Sequence, residues 1–175
     1  NFISRNNLAG AYQGSGRINK AIPLFQQNLT DSARALGPDH HDTVVFRNNL
    51  ANAYAIAGKL DRAIPLFEQI LNDHERSLGP DHPHTLASRG NLADAYREAG
   101  RLESAIDLFT KNLAYHEQIL VPENPNTLSS RNNLAGSYKD AGRLEKSIEL
   151  FERVLTDRER ILGPDHPDTL AYRSN

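Results

Sequence analysis

Two His-Glu pairs are the residues in this sequence that come nearest to a catalytic motif. In the zinc-protease motif His-Glu-x-x-His, two histidines one helical turn apart bind the metal and the glutamate acts as the general base. The pairs are His74-Glu75 and His116-Glu117, and the positions of the second histidine are Leu78 and Leu120. Because the second metal ligand is missing from both, the sequence excludes this hydrolytic site.

Other residue types that do chemistry also lack their partners. His40, His82 and His166 lie far apart in sequence and are predicted to be exposed or structural. His82 and His84 could form at most a weak, incidental metal site. Ser15 is not in a Gly-x-Ser-x-Gly elbow, and no glycine-rich phosphate loop occurs. We therefore predict that the chain is not an enzyme and has no catalytic residue, metal or cofactor.

A different pattern recurs at a fixed interval and must position whatever function the chain has. The letters Asn-Leu-Ala begin at Asn7, Asn49, Asn91 and Asn133, so that 49−7, 91−49 and 133−91 are each 42. A period of this size is typical of repeat proteins, in which stacked neighbours bury a continuous core. The sequence predicts repeats at about 1–40, 41–82, 83–124 and 125–166, and the start of a fifth at 167–175. Since it has no methionine and stops within a repeat, we expect it to be a fragment of a longer array.

Each repeat is predicted to be a pair of helices. In repeat two, Leu50, Ala53 and Tyr54 form a short apolar stripe, and Ile64 begins a longer stripe of buried residues. The longer stripes are Ile22, Phe25, Leu29 and Leu36; Ile64, Phe67, Leu71 and Leu78; Ile106, Phe109, Leu113 and Leu120; and Ile148, Phe151, Leu155 and Leu162. First helices are expected near 41–57, 83–99 and 125–141, and second helices near 18–36, 60–78, 102–120 and 144–162. Counting the helix before residue 18, this makes about eight.

Proline and glycine punctuate these helices. Pro23 and Pro65 fall inside second helices, which are therefore predicted to begin late or to bend. In the Gly-Pro-Asp-His connector, glycine ends one helix, and the next begins at Pro83, Pro125 or Pro167. The predicted N-caps are His82, Asn124 and His166. Repeat three has Val121 in place of the glycine, so its corner is expected to differ.

The recurring letters together resemble a known family. Asn-Leu-Ala-x-x-Tyr, Gly-Arg-Leu, Ala-Ile-x-Leu-Phe and the Leu-Gly-Pro-Asp-His-Pro connector are similar to tetratricopeptide repeats of the 42-residue, kinesin-light-chain-like kind. The resemblance covers the whole chain and implies an all-α fold, an α-solenoid of stacked antiparallel helix pairs in a right-handed superhelix. The connector also resembles arrays in bacterial signalling proteins that carry an ATPase module.

The resemblance further implies that the first helices line a concave peptide-binding groove. The groove residues that it assigns are Asn6 and Gln13; Val45, Asn48, Asn52, Ala55 and Ile56; Asp94 and Arg97; and Asn132 and Lys139. Asparagine amides both donate and accept, which suits the backbone of an extended peptide, although these residues could also be merely solvated. The charges in the groove are mixed, which speaks against a carboxylate clamp.

Repeat two has the most apolar lining, with Val45, Ala55 and Ile56 beside two amides. We therefore expect the ligand to cross repeats one to three, centred on Asn48 and Asn52. The alternative is that Ile56 packs under the neighbouring hairpin and leaves no pocket.

An arginine also recurs in every repeat, at Arg5, Arg47, Arg89, Arg131 and Arg173. Residues that every repeat shares should serve the scaffold, for example by bonding neighbouring hairpins or the Pro-Asp connector. The alternative is an arginine ladder that binds an acidic ligand.

These patterns predict a non-enzymatic scaffold that binds a peptide segment or a protein surface. The alternatives are an array that relays state to an attached catalytic module, or one that stacks end to end with copies of itself. A net charge of −2 without a basic stripe gives no sign of a nucleic-acid partner. No apolar run approaches the ~18 residues of a membrane span, and the absence of cysteine fits a cytoplasmic protein.

Overall fold

The computed structural model describes residues 1–162, and this part of the chain contains eight α-helices and no strand. The helices are α1 (Phe2–Gly14), α2 (Ile18–Leu36), α3 (His41–Ile56), α4 (Leu60–Leu78), α5 (Pro83–Glu98), α6 (Leu102–Ile119), α7 (Pro125–Asp140) and α8 (Leu144–Leu162). Each predicted helix is present and ends within one residue of its expected position. The expected fifth repeat at 167–175, with His166, Pro167 and Arg173, lies outside the described residues.

The chain divides into two compact bodies, Asn1–Ala99 and Gly100–Asn175. In the N-terminal body, each helix from α1 to α5 packs against the next one along the chain. In the C-terminal body, α7 packs against both α6 and α8. Since short connections join these neighbours, they run antiparallel. None of the described helices is long and apolar enough to cross a membrane.

The core follows the predicted small and large positions. Phe67 on α4 is 3% exposed, and Ile64 and Leu71 on the same face are also buried. Alanines that recur at the helix crossings, including Ala51 and Ala63, are 0% exposed. Where α8 has Ser147 instead, its hydroxyl donates a 2.8 Å hydrogen bond to the carbonyl of Ala135. Small side chains thus allow the paired helices to approach closely.

Four residues predicted to be buried are exposed instead, namely Leu8, Leu36, Leu78 and Ile148. No described helix covers the outer face of α1 or α8, so Leu8 and Ile148 are 48% and 55% exposed. Leu36 and Leu78 lie in the last turn of their helices, where the chain turns away from the core. The side chain of Leu162 lies outside the described part of the structure.

The two prolines do not delay the second helices, contrary to the prediction. Helix α2 begins at Ile18 and α4 at Leu60, the same place in the repeat as α6. Pro23 and Pro65 are exposed, and each frees a carbonyl only in the exposed first turn. Water can reach such a carbonyl, so the lost backbone bond is tolerated there.

The connectors fix where each first helix begins. Gly79 ends α4 with a φ of 91°, a value that side chains disfavour. His82 then caps α5, since its Nδ1 accepts from the backbone N–H of His84 at 3.2 Å. Asn124 caps α7 in the same way, which confirms both predicted caps. At Val121 the corner differs as expected, because α6 ends one residue earlier and Leu120 is extended.

Candidate binding surface

The first helices of the N-terminal body, α1, α3 and α5, present a polar and incompletely buried surface. Their apolar residues face the neighbouring second helices, which leaves amide side chains on the other side. Asn6, Asn48 and Asn52 are half-buried, and Val45 is 38% exposed. We call this face of α1, α3 and α5 the first-helix surface. Two cavities lie along it.

The first, which we call the amide cavity, lies between α1 and α3 and has a volume of about 210 Å³. It is lined by Asn6, Gly10, Gln13, Phe25, Asn49 and Asn52. The amide nitrogen of Asn49 donates a 2.9 Å hydrogen bond to the amide oxygen of Asn6, which joins the two hairpins. No charged side chain lines the cavity. It can therefore donate and accept hydrogen bonds without selecting a charge.

The second, which we call the histidine cavity, lies between α3, α4 and α5 and has a volume of about 400 Å³. Helix α3 contributes Val45 and Asn48, and Ile70 on α4 contributes an apolar wall. Asn91 on α5 adds a second amide. The histidines of the cavity are His41, His74 and His84. The cavity thus combines apolar surface, amide groups and imidazoles.

His74 joins α4 to α5 at this cavity. Its Nδ1 lies 2.7 Å from the hydroxyl of Ser88, and that hydroxyl donates its proton to the carbonyl of His84 at 2.9 Å. Since the hydroxyl proton is used, Nδ1 of His74 must be the donor, and Nε2 is the nitrogen that can take up a proton. Burial lowers the pKa of His74, and the nearby His84 lowers it further. This imidazole is therefore neutral at physiological pH.

The structure places five of the predicted site residues in the two cavities. Val45 and Asn48 line the histidine cavity, and Asn6, Gln13 and Asn52 line the amide cavity. The other six residues, Ala55, Ile56, Asp94, Arg97, Asn132 and Lys139, line neither.

The residues outside the cavities have different surroundings. Ile56 is 62% exposed, so it does not pack under the neighbouring hairpin. Asp94 pairs with Arg97 at 3.8 Å, and burial raises the pKa of its carboxyl. Asn132 and Lys139 belong to the C-terminal body.

The sequence analysis missed the imidazole side of the histidine cavity. It considered only the first helices, whereas His74 comes from a second helix and His84 from the turn that begins the next helix. A signal was present in the sequence. The junction between repeats two and three carries histidine at positions 74, 82 and 84, and the two described junctions on either side carry one such histidine each.

The recurring arginines are structural. Arg47 is 3% exposed; it pairs with Asp73 at 2.7 Å and donates to the carbonyl of Pro38 at 2.9 Å. Arg89 likewise donates to the carbonyl of Pro80. These bonds hold the connector and the next hairpin together, as predicted. Because the guanidinium groups are buried against internal partners, they do not form a ladder for an acidic ligand.

The C-terminal body has a cavity of about 580 Å³ beside α8. Arginines and carboxylates line it together, and they neutralise each other: Arg153 lies 3.3 Å from Glu117, and Arg160 lies 3.3 Å from Asp157. None of the predicted site residues lines this cavity. Among residues 1–162, no three side chains converge in a way that could hold a metal ion.

Short and long helices that alternate at a fixed 42-residue interval define a helical repeat protein. Models of one family, the tetratricopeptide repeat, match residues 2–72, 45–118 and 127–168. The chain belongs to the tetratricopeptide repeat family. Its repeats are of the kind found in kinesin light chains, and the predicted family and fold class are confirmed.

Solved structures give the same result. A Podosopora anserina protein described as a candidate kinesin light chain with nearly identical TPR-like repeats is 31% identical, with a TM-score of 0.86 over 97% of this chain and 81% of its own. BtubC (BKLC) from P. vanneervenii is 23% identical, with a TM-score of 0.79 over 93% of this chain and 65% of its own. MamA from AMB-1 is 24% identical, with a TM-score of 0.66 over 91% of this chain and 80% of its own. The last two similarities concern the fold alone. No curated protein matches the chain.

Proposed function

We propose that this chain is a non-enzymatic scaffold that binds an extended segment of another protein across the first-helix surface. The tetratricopeptide repeat fold generally mediates protein–protein interaction. The observation that carries the proposal is that the amide cavity and the histidine cavity lie on the two sides of α3. Asn52 lines one cavity and Asn48 lines the other, so the ligand is centred on these two residues. We also propose a cytoplasmic location, which the absence of cysteine supports.

The size of α3 sets the length of the segment. A ligand that occupies both cavities must cross one helix, which is about 10 Å wide with its side chains. An extended chain rises about 3.3 Å per residue, so about three residues separate the two anchors. Over that distance, the amides of Asn48 and Asn52 can pair with the main chain of the ligand whatever its side chains are.

Peptide arrays probed with the 175-residue chain test the proposal. We expect Asn48→Ala with Asn52→Ala to weaken binding of a selected peptide about tenfold, as loss of one or two hydrogen bonds would. Asn132→Ala, at the position in repeat four that corresponds to Asn48, is the matched control and should bind normally. Circular dichroism should show that both variants remain helical. Unchanged binding by the double variant would refute the groove assignment.

A second candidate function is end-to-end association of copies. Leu8 on α1 and Leu144 and Ile148 on α8 are exposed, whereas their counterparts Leu50 and Ile106 are buried by neighbouring helices. The outer faces of α1 and α8 therefore resemble the two halves of an internal junction. Light scattering over a concentration series tests this idea, and a strict monomer at high concentration would refute it. The remaining alternative, relay of state to an attached catalytic module, rests on the resemblance of the connector alone.

A further inference from the structure

The histidine cavity is apolar at its base and carries little charge at neutral pH. Ile70 is 1% exposed, and the other apolar side chains that line the cavity are Val44, Val45, Leu78 and Ala87. Asp39 is the one carboxylate in the lining, and Arg76 lies 3.5 Å from it. The imidazoles are neutral when unprotonated. An uncharged side chain therefore fits this lining better than a charged one.

Protonation reverses this character. The cavity gains one positive charge for each of His41, His74 and His84, against a single carboxylate that is already paired. The rings of His74 and His84 have centroids 6.0 Å apart, so their charges would repel each other. An apolar side chain seated over these rings would also remove water from them. Desolvation disfavours the charged form of an imidazole, so occupancy of the cavity and protonation oppose each other.

We propose that the histidine cavity takes an uncharged, apolar side chain of the partner, and that protons compete with it, so that the partner binds at neutral pH and is released in mild acid. This inference rests on the proposed binding of a protein segment at the first-helix surface.

The groups around His74 support this direction. From the side of α3, Asp39 and His41 line the same cavity, and Arg47 pairs with Asp73. On α4 itself, Asp73 favours protonation of His74, but it is engaged by Arg47 at 2.7 Å and by Arg76 at 3.2 Å. From the side of α5, His82 and His84 disfavour protonation. No carboxylate in this environment is left unpaired to hold an imidazolium beside an apolar ligand.

The size of the effect follows from linkage. Each histidine whose pKa falls by one unit on occupancy weakens binding about tenfold once the pH is below both values. The change is centred near pH 6.5, where an ordinary histidine titrates. Two responding histidines would therefore give a loss of about a hundredfold.

The probe for the test is 3-methylbutan-1-ol, a neutral analogue of a leucine side chain that does not titrate. Binding to the 175-residue chain is followed by NMR through the backbone amides of Ile70 and Ala87. We expect the dissociation constant to rise at least about tenfold between about pH 7.5 and about pH 5.5. In His74→Gln with His84→Gln the rise should shrink to less than about threefold. His84→Gln alone, at an exposed position, tests the same idea if the double variant unfolds, and its rise should be smaller than that of the unaltered chain.

His116→Gln is the matched control. His116 makes the same kind of bond, with Nδ1 2.8 Å from the hydroxyl of Ser130, but lies in the other body and lines no part of the histidine cavity. This variant should keep the full dependence on pH. Equal affinity of the probe at both pH values, or shifts confined to other residues, would overturn the inference. Peptide binding that depends on Asn48 and Asn52 would survive that result, so the two proposals fail separately.

Discussion

Replacement of Phe67 by alanine should destabilise the N-terminal body strongly. Phe67 is 3% exposed on α4, which packs against α3 on one side and α5 on the other. Burying a phenylalanine side chain contributes about 1.5–3 kcal/mol relative to leaving it in water. The cavity left between three helices cannot close fully, and with this additional cost such deletions lose about 3–5 kcal/mol. We expect a loss in this range, which is a large part of the about 5–15 kcal/mol that stabilises a typical domain.

Urea unfolding followed by far-UV circular dichroism measures this loss, provided that the slope of the transition does not change. Phe151→Ala is the matched control. Phe151 occupies the same position in repeat four, but it is only half-buried because no described helix covers the outer face of α8. Its replacement should cost clearly less. A loss below about 1 kcal/mol for Phe67→Ala, or equal losses for the two variants, would refute the packing argument.

Three further predictions concern stability. Burial lowers the pKa of His74 and His116 in the folded chain, so the unfolded chain binds more protons; the free energy of unfolding should be full above about pH 6.5 and fall as the pH drops below it. Urea midpoints at about pH 7.5 and about pH 5.5 check this, and a higher midpoint in acid would contradict it. Arg47→Ala should cost about 3–5 kcal/mol in the same assay, because it leaves the partly buried Asp73 without its principal partner; a loss within about 0.5 kcal/mol, typical of surface changes, would contradict the structural role. Ile56→Asp should leave the melting temperature unchanged, since this side chain is 62% exposed; a steep fall would mean that Ile56 is buried in solution.

The helices could be predicted because their signals are local. The spacing that leads from Ile64 to Phe67 lies within one helix, and Gly79 and His82 mark an end and a beginning within one connector. Exposure at Leu8 and Ile148 could not be predicted in this way. Their letters equal those of buried counterparts, and they differ only in whether a neighbouring helix covers them. Local pattern fixes the face of a helix, and neighbours decide its burial.

The candidate site was only partly predictable for the same reason. Asn48 and Asn52 could be assigned to the exposed face of α3 from their spacing on a single helix. The histidine cavity requires three helices together, because Val45, His74 and His84 come from α3, α4 and α5. No periodicity within one element relates these residues. Their association follows from how consecutive hairpins pack.

A comparison of two junctions separates what the fold requires from what the histidine cavity adds. His74 bonds to Ser88 and His116 bonds to Ser130 with nearly equal distances, so this bond serves the packing of consecutive hairpins. Around His116, however, the positions that correspond to His82 and His84 hold asparagines, and burial alone lowers its pKa. The scaffold is therefore built without the two extra imidazoles. Their place is at the cavity that Asn48 also lines, which is where a proton-sensitive contact with a partner would act.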